Sequence, residues 1–287
     1  MNSRSLLAAP LLALGLLLAG PGGPARAEPV KIGWTTWQDA EIVSKMAALI
    51  LEKGMGIDAE LTLSDIAIQY RSVALGELDA MMMAWLPQTH AAYLERYGDK
   101  LIDHGTLYDN ARLGIAVSAA CPDSLRALAD LATPEGAQAI GGRILGIDPG
   151  SGIMGMTRDT LSDLGANLEL TEGTDFSMAR DLGQAIDSGA CVAATLWNPH
   201  WLFGAYDLRY LDDPEHRFGK AESVHVMVRQ GFAEDFPKAA GLLARMSFDI
   251  AEIEAILARG QEIGPEDAIR EWLNANNDRV TAWMTGS

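Results

Sequence analysis

The chain has 287 residues, 48% of them apolar and 21% charged, and a formal net charge of −17. Such acidity disfavours nucleic acid and anionic membrane surfaces as partners, because both are polyanions. The two cysteines and five histidines show none of the spacings of a metal site, so neither a metal nor another cofactor is expected.

The first element in chain order is an export signal. Arg4 precedes an apolar run from Leu6 to Leu18, and Gly and Pro lead on to Ala25-Arg26-Ala27, an Ala-x-Ala cleavage site. A retained anchor is the alternative, but this run falls short of the roughly 20 residues that cross a bilayer. No Cys stands near the site to take a lipid. Removing residues 1–27 takes Arg4 and Arg26 off the charge of −17, so the mature chain carries −19.

Short apolar runs then alternate with amphipathic stretches, the pattern of an α/β protein. "VKIGWTTW" reads as a strand, followed by a helix from Ala40 to Lys53 that Gly54 and Gly56 close; "AELTLS" is a strand, "IAIQYRSVALGEL" a helix and "LDAMMMAWLP" a strand ending at Pro87. Two βα units in a row predict parallel strands. After "RLGIAVSA" the pattern restarts with strands at "RILGID", "LELTEG" and "CVAATLW", separated by helices at "SGIMGMTRDTLSDLG" and "FSMARDLGQAIDSG". "VHVMVRQ" and two helical stretches, 237–260 and 264–284, form a tail too short for a third lobe, which should pack back on the first. The expected architecture is therefore two Rossmann-like lobes joined by two crossings. Lobe I takes 28–117 plus 218–287 and lobe II takes 118–217, with hinges near Ser118 and Phe218. An exported chain of this design reads as a hinged binding protein with its ligand in the cleft.

Three tryptophans stand where strands run out: Trp37, Trp85 and Trp197. Ligands of open α/β sheets sit beyond the carboxyl ends of the strands. Three such rings make a cage whose faces attract a quaternary ammonium at roughly 0.5–2 kcal/mol per contact. The alternative for each ring is lobe core, the reading kept for Trp272 and Trp283, while Trp34 and Trp201 read as packing neighbours. His90, five residues after Trp85, is placed to donate a hydrogen bond to a carboxylate; His200 in "NPHW" reads as part of a turn.

"GIDPGSGIMG" carries a G-x-G-x-x-G spacing at Gly150, Gly152 and Gly155, with Glu169 or Glu172 available for a ribose. A dinucleotide is one reading. The other is that the N–H groups of Gly152 and Ile153, at a helix start capped by Ser151, hold the carboxylate of a small ligand. With the cage, that describes a zwitterion such as glycine betaine. Cys121 and Cys191 could pair in an oxidising compartment, but Cys191 lies in an apolar run where a free thiol is equally ordinary. Both states stay open.

"IGWTTWQDAEI", "DAMMMAWLPQTHAAYLERYGDKLID", "IDPGSGIM", "TLWNPHWLFGAYDLRYLDDPEHRFG" and "VHVMVRQGF" together resemble the glycine betaine-binding proteins of ABC importers, across essentially the whole mature chain. The resemblance implies a two-lobed periplasmic binding protein of type II that binds without catalysis, a Trp cage at Trp37, Trp85 and Trp197, and a carboxylate held by His90, Gly152 and Ile153. It also implies a monomer in the periplasm whose partners are a small zwitterionic quaternary amine, an ABC permease and its ATPase subunit. One departure is "QDAEI" after Trp37, a residue longer than the usual segment. Choline, carnitine, proline betaine and dimethylsulfoniopropionate are alternative ligands, and the carboxylate grip disfavours choline. A nicotinamide-dependent enzyme and a chemotaxis or osmosensing receptor are the alternatives in other classes.

Overall fold

The computed structural model describes residues 28–286, and the export signal expected over 1–27 lies outside them. In chain order the elements are β1 (Val30–Trp34), α1 (Gln38–Leu49) continued by a π-helical turn (Ile50–Gly54), β2 (Ala59–Leu63), α2 (Ile66–Leu75), β3 (Ala80–Leu86) and α3 (Ala91–Tyr97). Then come β4 (Leu101–Ser118), α4 (Pro134–Ala139), β5 (Arg143–Leu145), α5 (Gly152–Leu164), β6 (Glu169–Leu170), α6 (Asp175–Asp187), β7 (Ala193–Asn198), α7 (Leu202–Ala205) and β8 (Leu208–Tyr210). β9 (Glu222–Arg229) leads into α8 (Phe232–Asp235), α9 (Pro237–Arg245), α10 (Ile250–Ile263), α11 (Pro265–Ala275) and α12 (Asn277–Thr285).

The strands lie in the order β2-β1-β3-β9-β4-β7-β5-β6, with β8 alongside β4. β1 is parallel to both β2 and β3, as two successive βα units require, and β5 is parallel to β6 and β7. β3 sits between β1 and β9, so its run Ala80 to Trp85 is buried throughout, a core strand with no water-facing side.

β4 carries the architecture. Its first part, Leu101 to Ala111, pairs with β9, and its second, Arg112 to Val117, pairs with β7. Irregularities in the first ladder end at Asn110, which lies in the left-handed region at φ 63°, immediately before the change of partner. Such a local kink re-aims a strand and strengthens its twist. The return crossing, between β8 and β9, also contains left-handed residues, His216 at φ 54° and Gly219 at φ 78°.

The tail departs from the reading of two long helices. It forms separate helices broken at Met246–Asp249 and at Asn276, and Asp249 caps α10 in a box with Glu252. α10 and α11 pack on α1, and α9 and α10 on β4.

Cys121 and Cys191 form a disulfide, with Cα atoms 4.4 Å apart. It ties the end of β4 to the start of β7 and closes a loop with a sequence separation of 70. The chain-entropy relation assigns a loop of this size about 4 kcal/mol. Replacing both cysteines by serine should therefore lower unfolding free energy by ~2–4 kcal/mol in a denaturant titration. An unchanged midpoint would show that the unfolded chain is not restrained by this link.

Candidate functional site

One cavity lies where the two halves of the sheet meet. It is lined by Trp37, Trp85, Thr89, His90, Leu113, Ile147, Ser151, Gly152, Ile153 and Trp197. Trp85 ends β3, Trp197 lies in β7 opposite Leu113 of β4, and Trp37 immediately precedes α1. All three rings are at most 5% exposed. The centroids of Trp37 and Trp197 are 6.3 Å apart with the planes tilted by 58°, so the two rings wall the cavity from different halves of the sheet. The Trp37 Nε1–H donates to Asp148 Oδ1 at 2.8 Å. Burial pushes the Asp148 carboxyl up, against the pull of this hydrogen bond.

His90 is fully buried, beside Tyr70 and Tyr93, which stack on each other 4.8 Å apart. Its Nδ1 accepts the backbone N–H of Trp85 at 3.0 Å. Burial pushes its pKa down to about 3, so the ring is neutral at physiological pH and the accepting Nδ1 places its proton on Nε2. That Nε2 is buried and has no hydrogen-bond partner among the described residues. A buried donor left unpaired loses about 1–3 kcal/mol, and a ligand acceptor in the cavity would recover it.

The β5–α5 loop supplies further donors. Gly152 and Ile153 open a thirteen-residue helix, and their N–H groups meet no acceptor among the described residues. Ser151 occupies the N-cap position, but its hydroxyl does not cap. It donates instead to the Asp148 carbonyl at 2.9 Å. The glycine spacing has a different meaning from a dinucleotide fingerprint. A Cβ at Gly150 or Gly155 would meet nothing within 4 Å, whereas one at Gly152 would lie 2.4 Å from Thr89 Cγ2 and 2.5 Å from the Thr89 carbonyl oxygen. Gly152 is thus required by the close packing of Thr89 on its Cα, a role unrelated to a dinucleotide turn.

Over residues 28–275 the chain matches the substrate binding domain of ABC-type glycine betaine transport systems. The chain belongs to that family. Lactococcal OpuAC, solved closed and complexed with glycine betaine, is 28% identical and superposes with a TM-score of 0.82 over 90% of this chain and 100% of that one. The glycine betaine, L-proline-binding protein ProX of Borrelia burgdorferi is 25% identical, with a TM-score of 0.83 over 90% and 97% of the two chains. Both are two-lobed type II binding proteins, and that is the fold of this betaine-transport domain. The glycine betaine/carnitine transport binding protein GbuC of Listeria monocytogenes is 34% identical over 147 residues, 50% of this chain. That match spans 49% of GbuC, about half its length.

In this betaine-transport domain a polar layer backs the cage. His200 stands edge-on to Trp197 at 4.8 Å, accepts the Leu202 N–H on Nδ1 and faces Asp175 with Nε2 at 3.0 Å. Asp175 also accepts the N–H of Gln38, next to Trp37. Asp39, 1% exposed, accepts the Tyr108 hydroxyl at 2.8 Å on one oxygen, while its other oxygen has no partner among the described residues. The turn reading of "NPHW" missed the support His200 gives. Asp39, Asp148 and Asp175 carry no spacing signal, because their partners lie 69, 111 and 137 positions away.

Asp39 sets a pH dependence. Burial raises its carboxyl to about 6, against the Tyr108 hydrogen bond, with the Asp175 charge adding to the rise and His200 and the Ala40 N–H opposing it. The unfolded carboxyl titrates near 4, so the folded protein binds this proton more tightly. Stability from this group is then fullest below about 4, declines as pH rises through 4 to 6, and is level above. Asp39→Asn should match the parent at pH 4 and exceed it at pH 7.5 by up to ~3 kcal/mol. Equal differences in melting temperature at the two pH values would mean that Asp39 does not titrate in this range.

Proposed function

We propose that the protein is an exported, monomeric receptor that binds glycine betaine, or a close betaine relative, and delivers it to an ABC permease and its ATPase. The observation that carries this reading is the pairing of unsatisfied donors with an aromatic wall in one cavity. Trp37, Trp85 and Trp197 would enclose the trimethylammonium group, with ring faces attracting the charge and indole surface excluding water from the methyls. His90 Nε2–H and the N–H groups of Gly152 and Ile153 would receive the carboxylate, the last two helped by the positive end of α5. No bond of the ligand is made or broken.

Family membership, and the betaine complex of lactococcal OpuAC, support this ligand class for the present chain. The change of β4's partner from β9 to β7 at Ala111–Arg112 supports a division into two lobes, 28–117 with 218–287 and 118–217, joined through β4. Among the described residues no helix is long and apolar enough to cross a membrane. The sequence of residues 1–27 supports delivery to the periplasm. Closure of the lobes around the ligand would present the face that the permease reads.

Calorimetric titration of the mature protein with glycine betaine, choline and NADH in parallel tests the reading. Betaine should bind more tightly than choline, and NADH should give no heat. Choline binding as tightly as betaine would remove the carboxylate grip. Saturable NADH binding would restore the nucleotide alternative.

A further inference from the structure

The loop from Asp148 to Ser151 touches both parts of the proposed site, and Asp148 is its organising residue. The Asp148 backbone carbonyl accepts the Ser151 N–H at 3.0 Å and the Ser151 hydroxyl at 2.9 Å, which sets the turn that exposes the N–H groups of Gly152 and Ile153. Its side chain reaches the other way, across the meeting of the two sheet halves, to the indole N–H of Trp37. A second bond from the first half reaches the same loop, the Tyr93 hydroxyl donating to the Gly150 carbonyl at 2.8 Å.

The charge on Asp148 is also unbalanced. The carboxylate is half-buried, it is in no ion pair among the described residues, and its one side-chain hydrogen bond is the neutral Trp37 N–H. Asp65 and Asp175 add negative charge that raises its pKa further, while the Arg158 guanidinium is engaged by the Pro149 carbonyl at 2.8 Å. A half-buried carboxylate in such surroundings is stabilised by any cation brought close to it. A cation held against the face of Trp37 is in that position, because Asp148 grips the edge of the same ring.

We propose that Asp148 is a positioning and charge-selecting residue of the betaine site: its side chain latches the Trp37 wall to the carboxylate-binding loop once the halves close, and its carboxylate is the counter-charge that the onium group meets. This rests on the betaine reading above. It adds that selection for a positive head group is shared between the ring faces and a carboxylate no ligand atom touches. The latch acts on the closed form, so it slows release and leaves encounter unaffected.

The test compares the parent, Asp148→Ala, Trp37→Phe and the double variant by stopped-flow binding of glycine betaine and of 3,3-dimethylbutanoate, the carbon isostere that lacks the positive charge. Trp37→Phe keeps a smaller aromatic face and removes the indole N–H donor, so its own loss includes part of the cage, and the double variant isolates the coupling. Asp148→Ala should raise the betaine off-rate about tenfold to a hundredfold, the range for a lost hydrogen bond to a charged group, with the on-rate and the ligand-free melting temperature unchanged. In the Trp37→Phe background it should raise the off-rate much less, the missing part being the coupling between the two side chains. Preference for betaine over its isostere should narrow by a similar factor in Asp148→Ala. Strictly additive off-rate effects with an unaltered preference would overturn the proposal, as would a lowered ligand-free melting temperature with the betaine off-rate intact. Failure of the parent to bind betaine at all would instead remove the receptor reading, and the latch with it.

Discussion

Gly152→Ala should weaken betaine binding by roughly a hundredfold or more while leaving the ligand-free melting temperature close to that of the parent. The reason is steric. The added Cβ would stand 2.4 Å from a Thr89 methyl, which can rotate, and 2.5 Å from the Thr89 carbonyl oxygen, which cannot. Thr89 follows β3 and Gly152 opens α5, so the clash stands between the two halves of the sheet and disfavours their close approach. A protein held off its closed form loses apparent affinity in proportion to the fraction that can still close. Gly155→Ala, three residues on and facing open space, is the matched control and should bind normally. Parent-like affinity in Gly152→Ala would mean that the ligand-bound protein does not bring Thr89 and Gly152 into contact.

Trp85→Ala is expected to have the second large effect, several-fold to over a hundredfold in affinity if a ring contributes ~1–3 kcal/mol. It should weaken betaine and choline alike, since both carry the methylated head that the ring would face. Trp85 is also 3% exposed, so the truncation will lower stability as any large-to-small core change does. Titration well below the variant's melting temperature separates the two effects. A folded Trp85→Ala that binds betaine like the parent would make Trp85 a core residue.

The parallel strands and the cavity walls were legible in the sequence for one physical reason. An apolar run that ends in a large aromatic marks both a strand and its ligand-side end, and Trp85 and Trp197 each close such a run. The first part of β4 was not legible, because "LIDHGTLYDNA" mixes polar residues and a glycine into a strand whose ladder is irregular. The tail helices merged into two because their helix-forming composition runs through the breaks; the Asp249 to Glu252 capping box was the available signal. The groups behind the cage were invisible for a different reason. Asp39, Asp148 and Asp175 act through partners that only the folded chain brings near, and a lone acid in a sequence reads as surface. The disulfide was open at the sequence level and is formed in the structure, because β4 and β7 are neighbours and Cys121 follows the end of the one while Cys191 precedes the start of the other.

The single long strand shared by both halves has a mechanical meaning. A protein hinged at two floppy loops can tumble its parts through many orientations. Here one ribbon of backbone is built into both halves of the sheet, with its kink at Asn110, and the return crossing has left-handed residues of its own at His216 and Gly219. An opening of the two halves, as the proposed function requires, would flex that ribbon while the ladders on either side of the kink stay intact, confining the motion largely to one bending coordinate. Under the proposed function, the spacing of the two tips would become a near-binary signal, and a membrane partner touching only the outer surface would tell a loaded protein from an empty one without contacting the cargo.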